Sequence, residues 1–433
     1  MRVAEHIDKI SWSFADKSLF FGYGLVTLFQ MRALEPGQWG LFGLMISLHT
    51  WIFIIIDSFA LQGLIQFGMN DSNTKRVNSI ALIIQIAMSM FFSFIIYLLR
   101  FELANVFGDA GFIRIGTVLP ILIFLTVPRT YVIKLIYRTQ EFNKLFLVNA
   151  SFFGIMTAIT LYYLIVDGSL TFENLILIYF CGSGFSSLIG MYLLKNELKF
   201  NLKGDIQFSK IMKFTLPWTI YSALNYLPRT LDLYIVQFFF RTEVTGVYYS
   251  AKTLFRVFDE TLNASFGLVY PTAVRQIEKN NMKELNDLMT KAVSFLLMAF
   301  VVVVVILELG FSEFIITSFL PARFHGAVGQ FNLLLIAALG MPFLMLSSII
   351  SAIGKPQVIL NYAMVGCILA GITLYVIGIN GRADLIPLGI IIYVFINAVM
   401  IFSYMRRNYG FKTRALFRAI FDSKSFLMGL FKK

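Results

Sequence analysis

About a dozen apolar runs, each roughly 20 residues long, recur along this chain. A helical run of that length crosses the hydrocarbon core of a bilayer, whereas a barrel strand needs only about half as many residues. Lipid offers no partner to an open backbone, so spans must be helices or strands of a closed barrel, and runs this long leave helices. We read spans at roughly 12–31, 41–67, 77–99, 112–136, 145–166, 172–194, 214–240, 245–271, 289–309, 329–351, 357–378 and 385–405. Composition agrees: 58% of the 433 residues are hydrophobic and only 14% are charged, a balance foreign to soluble domains. The expected fold is all-α, a polytopic membrane protein of about 12 transmembrane helices in two pseudo-symmetric six-helix lobes. Residues 1–200 would form the N-terminal lobe, 201–405 the C-terminal lobe, and 406–433 a basic amphipathic cytoplasmic tail.

A net charge of +12 invites a nucleic-acid partner, but its distribution explains it otherwise. Lys75 and Arg76, Arg138 and Lys144, Lys195 through Lys213, and Arg275 through Lys291 fall in alternate loops, with more cations at the two ends. The intervening loops are poor in Lys and Arg. This asymmetry predicts a multi-pass protein with both termini in the cytoplasm. No cleavable signal peptide is expected, because no small-residue cleavage site follows a short apolar region. In the tail, Leu416, Phe417, Ile420, Phe421 and Leu427 alternate with Arg414, Arg418 and Lys424 at helical spacing. That pattern predicts a helix lying on the inner leaflet.

Several functions are excluded early. No loop exceeds about 20 residues, which leaves no room for an extramembrane catalytic domain. There is no Walker A sequence. Cys181 and Cys367 lie inside predicted spans, and His6, His49 and His325 are scattered. No catalytic residues, metal ligands or nucleic-acid partner are therefore expected.

Charges inside the spans are few. Asp57 falls in the second, Arg129 and Lys134 in the fourth, and Arg229 and Asp232 in the seventh beside Pro228. The eighth carries Lys252, Arg256, Asp259 and Glu260. At about 100° per residue, Thr245, Tyr249, Lys252, Arg256, Asp259, Asn263 and Gly267 share an arc of roughly 80°. A charge at bilayer depth costs about 2.5–3.5 kcal/mol on insertion scales, so this arc must face protein or water. One reading makes it the lining of a polar cavity. The other makes it an ion-paired packing face, with Arg256–Glu260 at i,i+4 and Arg229–Asp232 and Arg256–Asp259 at i,i+3. The cations Arg129, Arg229, Lys252 and Arg256 suit a phosphate-bearing anion. The carboxylates Asp57, Asp232, Asp259 and Glu260 suit ion coupling. Asp16 and Lys17 read as interfacial. Pro128, Pro217, Pro228 and Pro342 should kink their spans, and Tyr221, Tyr226, Tyr248 and Tyr249 could offer stacking surface to a sugar.

A weak internal repeat runs through the chain. Gln38-Trp39-Gly40-Leu41-Phe42 opens the second span and Val244-Thr245-Gly246-Val247-Tyr248 the eighth. Asn149 and Gly154 match Asn361 and Gly366, and Pro128 matches Pro342. With an even number of spans per repeat, the two halves share one orientation, as in two-lobed transporters.

These features together resemble the multidrug/oligosaccharidyl-lipid/polysaccharide exporter superfamily, and within it the Wzx-type polysaccharide flippases. The residues that carry the resemblance are Glu35-Pro36-Gly37-Gln38-Trp39-Gly40-Leu41-Phe42, Thr245 through Ala251, Tyr270-Pro271-Thr272-Ala273, Arg138-Thr139-Gln140-Glu141-Phe142 and Gly354-Lys355-Pro356. The resemblance implies a non-enzymatic transporter of a bacterial cytoplasmic membrane. It would flip undecaprenyl-pyrophosphate-linked oligosaccharide to the outer leaflet for a surface polysaccharide such as O antigen or exopolysaccharide. It also implies alternating access coupled to Na⁺ or H⁺, no other cofactor, and as partners the lipid-linked oligosaccharide, membrane lipids and the polysaccharide polymerase and chain-length machinery. Arg129, Arg229, Lys252 and Arg256 map by span and depth onto the family's cationic cavity. The alternative within the superfamily is a multidrug and toxin extrusion-type cation antiporter.

Overall fold

The computed structural model describes residues 3–68, 71–279, 281–353 and 355–411. The tail residues from Arg414 to Leu427 that spell an amphipathic pattern lie outside these described residues. Among the described residues there are helices and connecting turns but no strand. In order they are α1 (Val3–Ala33), α2 (Pro36–Ile56), α3 (Gln62–Phe67), α4 (Asp71–Phe107), α5 (Gly111–Thr139), α6 (Phe142–Tyr162), α7 (Phe172–Leu193) and α8 (Phe208–Glu278). Then follow α9 (Met282–Ile306), α10 (Ser312–Phe319), α11 (Ala327–Leu344), α12 (Leu346–Ala352), α13 (Pro356–Ile379) and α14 (Leu388–Tyr409).

Local chemistry sets many of the ends. Pro36 occupies the first position of α2, where a missing N–H costs nothing. Thr171 and Asn174 form a reciprocal capping box at the start of α7: the Asn174 N–H donates to Thr171 Oγ1 at 3.3 Å, and the Thr171 N–H donates to Asn174 Oδ1 at 2.8 Å. Gly410 closes α14 in the left-handed region, at φ 68°.

Among the described residues, 9 helical segments are long and apolar enough to cross a membrane. The remaining expected spans fall on α1 and on the two arms of α8, which carry more polar and charged residues. The fold is thus the expected all-helical, multi-pass arrangement. The span over 41–67 is not one uniform α-helix: a π-turn, Asp57–Leu61, joins α2 to α3. Such turns insert one extra residue and re-aim the side chains around them.

The seventh and eighth spans depart from the expected layout. Instead of two helices with a short loop, α8 runs through both and breaks at one residue, Arg241, at φ 69° and ψ 176°. Contacts across the break are antiparallel, since Arg229 meets Asp259 while Asp232 meets Tyr248 and Lys252. A single residue outside the helical region is enough to fold the chain back on itself.

The chain divides into two compact units. One comprises Met1–Tyr226 with Arg241–Gly246, the other Leu227–Phe240 with Val247–Lys433. The first unit has a core of Leu64, Ile80, Val132, Leu135, Val148 and Ile211, drawn from α3 to α6 and the start of α8. The repeat-matched glycines meet within it. A Cβ on Gly40 would lie 2.5 Å from Thr242 O and 2.8 Å from Gly246 N, and one on Gly246 would overlap the Pro36 carbonyl. Both positions require glycine for this close backbone approach.

The basic stretch after α7 is pinned to the first unit rather than hanging free. Asn78 Nδ2 donates to Glu197 O at 3.2 Å and Lys199 O at 3.1 Å. Arg138 Nη1 donates to Asn78 Oδ1 at 2.7 Å, and the Tyr131 hydroxyl donates to Asn78 O at 3.0 Å. One asparagine therefore joins α4, α5 and the segment leading to α8.

Candidate functional site

The intramembrane charges fall into two sites, one in each unit, built on different chemistry.

In the first unit the centre is Arg129, one residue after Pro128 in α5. Its Nη2 donates to Asn149 Oδ1 on α6 at 2.5 Å and its Nε to Ser186 Oγ on α7 at 3.1 Å. The guanidinium lies over the Phe152 ring, 4.3 Å from its centroid, a favourable cation–π position. Ser186 is held in turn by donating to Val148 O at 2.7 Å. Both polar partners are neutral. The neighbouring carboxylate is reached through the amide: Asn149 Nδ2 donates to Asp16 Oδ1 on α1 at 2.6 Å. Asp16, read from sequence as interfacial, is only 8% exposed. A carboxylate at the end of a long apolar helix looks interfacial in sequence, and only the packing of α1 against α6 buries it. Nearby, Lys134 Nζ donates to Asp57 Oδ2 at 2.7 Å, so Asp57, the first residue of the π-turn, is ion-paired.

In the second unit the site is stitched across the break in α8. Asp232, 1% exposed, is surrounded by donors. Lys252 Nζ reaches its two oxygens at 2.7 and 2.8 Å, the Tyr248 hydroxyl donates to it at 2.8 Å, and the Leu233 N–H donates at 2.8 Å. Lys252 also donates to Arg229 O at 2.5 Å. Arg229 Nη1 donates to Asp259 Oδ1 at 2.9 Å. Arg256 and Glu260 pair along one arm at 3.7 Å, with Arg256 54% exposed.

The structure therefore changes the expected pairing. Arg256–Glu260 forms as its i,i+4 spacing suggests. Arg229–Asp232 and Arg256–Asp259 are replaced by the cross-arm pairs Arg229–Asp259 and Lys252–Asp232. The physical reason is the fold-back at Arg241: facing arms bring opposite charges into direct line, whereas i,i+3 partners on one helix must bend around its surface. Each cation of this site has a carboxylate partner. Lys252–Asp232, the buried pair of the site, is costly to break, because removing one partner leaves the other charged in a poor solvent. On the far side of the second arm Phe258 and Leu262 are buried while Val257 is exposed.

Sequence reasoning named Arg129, Arg229, Lys252, Arg256, Asp57, Asp232, Asp259 and Glu260, and all lie in one or other site. It missed Asp16, Ser186 and the tie between Asn149 and Arg129, and it offered Tyr248 only as a sugar platform. Tyr248 is fully buried, with its hydroxyl on Asp232. Among the described residues no cluster of His, Cys, Asp and Glu could hold a metal ion.

Comparison with known proteins bears on the whole chain. Residues 31–329 match the model of a family described as polysaccharide biosynthesis protein. The chain belongs to the polysaccharide biosynthesis protein family. This agrees with the Wzx-type resemblance read from Gly40, Gly246 and their surroundings. No curated protein sequence matches the chain.

Solved structures share the fold of this family member. An inward-facing multidrug resistance MATE family transporter of the MOP superfamily aligns with a TM-score of 0.77 at 14% identity, over 92% of this chain and 95% of that one. A MOP superfamily transporter from Pyrococcus furiosus Vc1 (DSM3638), described by the reverse polarity of its binding pocket, aligns at 0.67 and 15% identity, over 93% and 94%. A MATE in the bent conformation aligns at 0.64 and 16% identity, over 94% of each chain. At these identities the likeness establishes the fold. The chain is a multi-pass, all-helical member of the polysaccharide biosynthesis protein family.

Proposed function

We propose that this protein flips lipid-pyrophosphate-linked oligosaccharide from the cytoplasmic to the outer leaflet of a bacterial cytoplasmic membrane, by ion-coupled alternating access. The observation that carries the reading is Arg129. Its side chain is half-buried among α5, α6 and α7 on neutral partners, Asn149 and Ser186, so a phosphate can join it without first breaking a direct ion pair. Guanidinium groups bind phosphate oxygens through paired N–H donors. Membership of a polysaccharide biosynthesis family supports a sugar-bearing substrate, and a lipid-linked repeat unit is the form in which such a sugar meets a membrane transporter.

The second site supplies the coupling in this reading. Asp232 and Asp259 are each held by a cation. Protonation or Na⁺ binding at either would free Lys252 or Arg229 from its carboxylate partner. Asp57 with Lys134, and Glu260 with Arg256, are further coupling candidates.

The test is depletion of the protein in its native host, followed by the leaflet distribution of polyprenyl-linked sugar intermediates. Accumulation on the cytoplasmic side with loss of surface polysaccharide is expected. A normal distribution in cells newly sensitive to cationic dyes would move the assignment to drug export.

A further inference from the structure

The connection between α7 and α8, residues 194–207, is held on one side and open on the other. Leu194 and Ile206 are buried in the core of the first unit, and Leu198 packs against it. Besides the two bonds from Asn78, the Asn201 N–H donates to Lys75 O at 3.3 Å and the Ile206 N–H donates to Asn73 Oδ1 at 3.3 Å. Arg76 Nη1 donates to Gly204 O. A strap tied at so many points along its backbone cannot roll over to bury its other side chains.

Those other side chains are of two kinds. With the adjoining ends of α4 and α8, the strap presents exposed Lys75, Lys195, Lys199, Lys203, Lys210 and Lys213. Acidic residues are fewer: Asp205 is exposed, and Glu197 is half-buried 3.9 Å from Arg138. Between the lysines stand exposed Phe200, Leu202 and Phe208, Leu202 at 61%. The apolar members continue onto spanning helices. Phe185, Leu188 and Tyr192 share one stripe of α7 and are all exposed, as are Leu216 and Ile220 on α8.

Exposed aromatic and aliphatic side chains are poorly placed in water, and lysines are worse placed in hydrocarbon. The headgroup zone takes both, with lysine stems along apolar surface and ammonium groups at phosphate. Loops rich in lysine face the cytoplasm in multi-pass proteins, and the leaflet there is anionic.

We infer that the strap between α7 and α8 is a docking surface for the anionic phospholipid headgroups of the inner leaflet, with Phe200, Leu202 and Phe208 seated at the acyl boundary and the lysines on the phosphates. Because the strap is bonded to the start of α4 and, through Asn78, to Arg138 at the end of α5, the lipid surface is tied directly to the helical frame of the first unit.

The chain has 2 cysteines, so a Cys181→Ser, Cys367→Ser background takes a single reporter thiol, Leu202→Cys, labelled with bimane in the purified full-length protein. Quenching by acrylamide from water and by a headgroup spin-labelled lipid is compared in phosphatidylcholine discs and in mixed phosphatidylglycerol–phosphatidylcholine discs. In the mixed discs the label should be shielded from acrylamide and quenched by the spin-labelled lipid, and high salt should reverse part of this. Lys203→Gln should shift the ratio of shielded to accessible label about fivefold toward accessible, and Lys199→Gln with Lys203→Gln and Lys210→Gln about a hundredfold. Lys203→Arg should behave as wild type. Thermal unfolding should be the same in all these variants, whose changed side chains are exposed.

A label equally open to acrylamide in both discs would overturn the proposal. Equal shielding in both discs, indifferent to the lysines, would also overturn it and leave burial of apolar side chains alone. Shielding found only in native membranes would give the surface to a protein partner instead. No polyprenyl lipid enters the experiment, so none of these outcomes bears on the translocation reading.

Discussion

Arg129 and Arg229 are both half-buried and both sit one residue after a proline, yet their surroundings are opposite. Arg129 rests on an amide, a hydroxyl and an aromatic ring, with Asp16 one hydrogen bond further away. Arg229 is fastened to Asp259, next to a Lys252 fastened to Asp232. The difference separates two uses of charge in a membrane. A cation on neutral partners keeps its field available to an anion that arrives from outside. A cation on a carboxylate is neutralised until something competes for that carboxylate. The first arrangement suits binding, and the second suits a conditional step that an ion or a substrate can trip.

The internal repeat sharpens the contrast. Pro128 and Pro342 correspond in the two halves, but the residue that follows is Arg129 in one and Phe343 in the other. The matched residues Asn149 and Asn361 diverge as well: Asn149 holds Arg129, while Asn361 is exposed. The matched residues therefore do not carry the same contacts in the two halves.

The largest effect is expected from breaking the paired site. Asp232→Ala leaves Lys252 without its counter-ion and removes the carboxylate that the Tyr248 hydroxyl donates to, and should destabilise the protein by about 3–5 kcal/mol. Thermal unfolding in detergent would show it, and the double change Asp232→Asn with Lys252→Met should recover most of the loss. Full stability in Asp232→Ala would mean that the pair does not hold the arms of α8 together.

Arg129→Gln should act differently. It keeps polar contacts to Asn149 and Ser186 but removes the charge, so unfolding should shift little while translocation falls about tenfold or more, the value of one charge-assisted hydrogen bond at about 1.5–3 kcal/mol. Arg129→Lys should retain part of the activity as a point charge without the fork.

Asn149→Asp converts the first site to the chemistry of the second by placing a carboxylate on Arg129. Pyrophosphate affinity should drop several-fold, measured by titration of the purified protein. Asp259→Asn does the reverse at Arg229 and should raise anion affinity by a smaller factor, because the pair is partly exposed and its net value is about 1 kcal/mol. Unchanged affinity in both variants would dissolve the distinction between the two sites.

The fold was legible because its cause is local. Runs such as Ile80–Leu99 and Val301–Ile306 leave a lipid-facing helix no alternative, and Lys and Arg counts label the loops. The charged positions were legible too, since a charge in such a run is conspicuous. Their partners were not. Whether Asp232 binds Arg229 or Lys252 depends on one break at Arg241, where sequence suggested only a short polar loop. Asp16 looked interfacial because burial against Asn149 comes from helix packing, which leaves no periodic trace. The Gly40–Gly246 contact was visible only as a repeat, and its meaning as a backbone crossing needed coordinates.

The most direct test of the account is translocation in proteoliposomes, with a lipid-pyrophosphate oligosaccharide in one leaflet and an enzyme or lectin reading its arrival in the other. Wild-type protein should speed arrival, and Arg129→Gln protein of matched stability and reconstitution should lower the protein-dependent rate about tenfold or more. Translocation by Arg129→Gln at the wild-type rate would contradict the claim that the neutral-partnered cation of the first unit receives the substrate's phosphate.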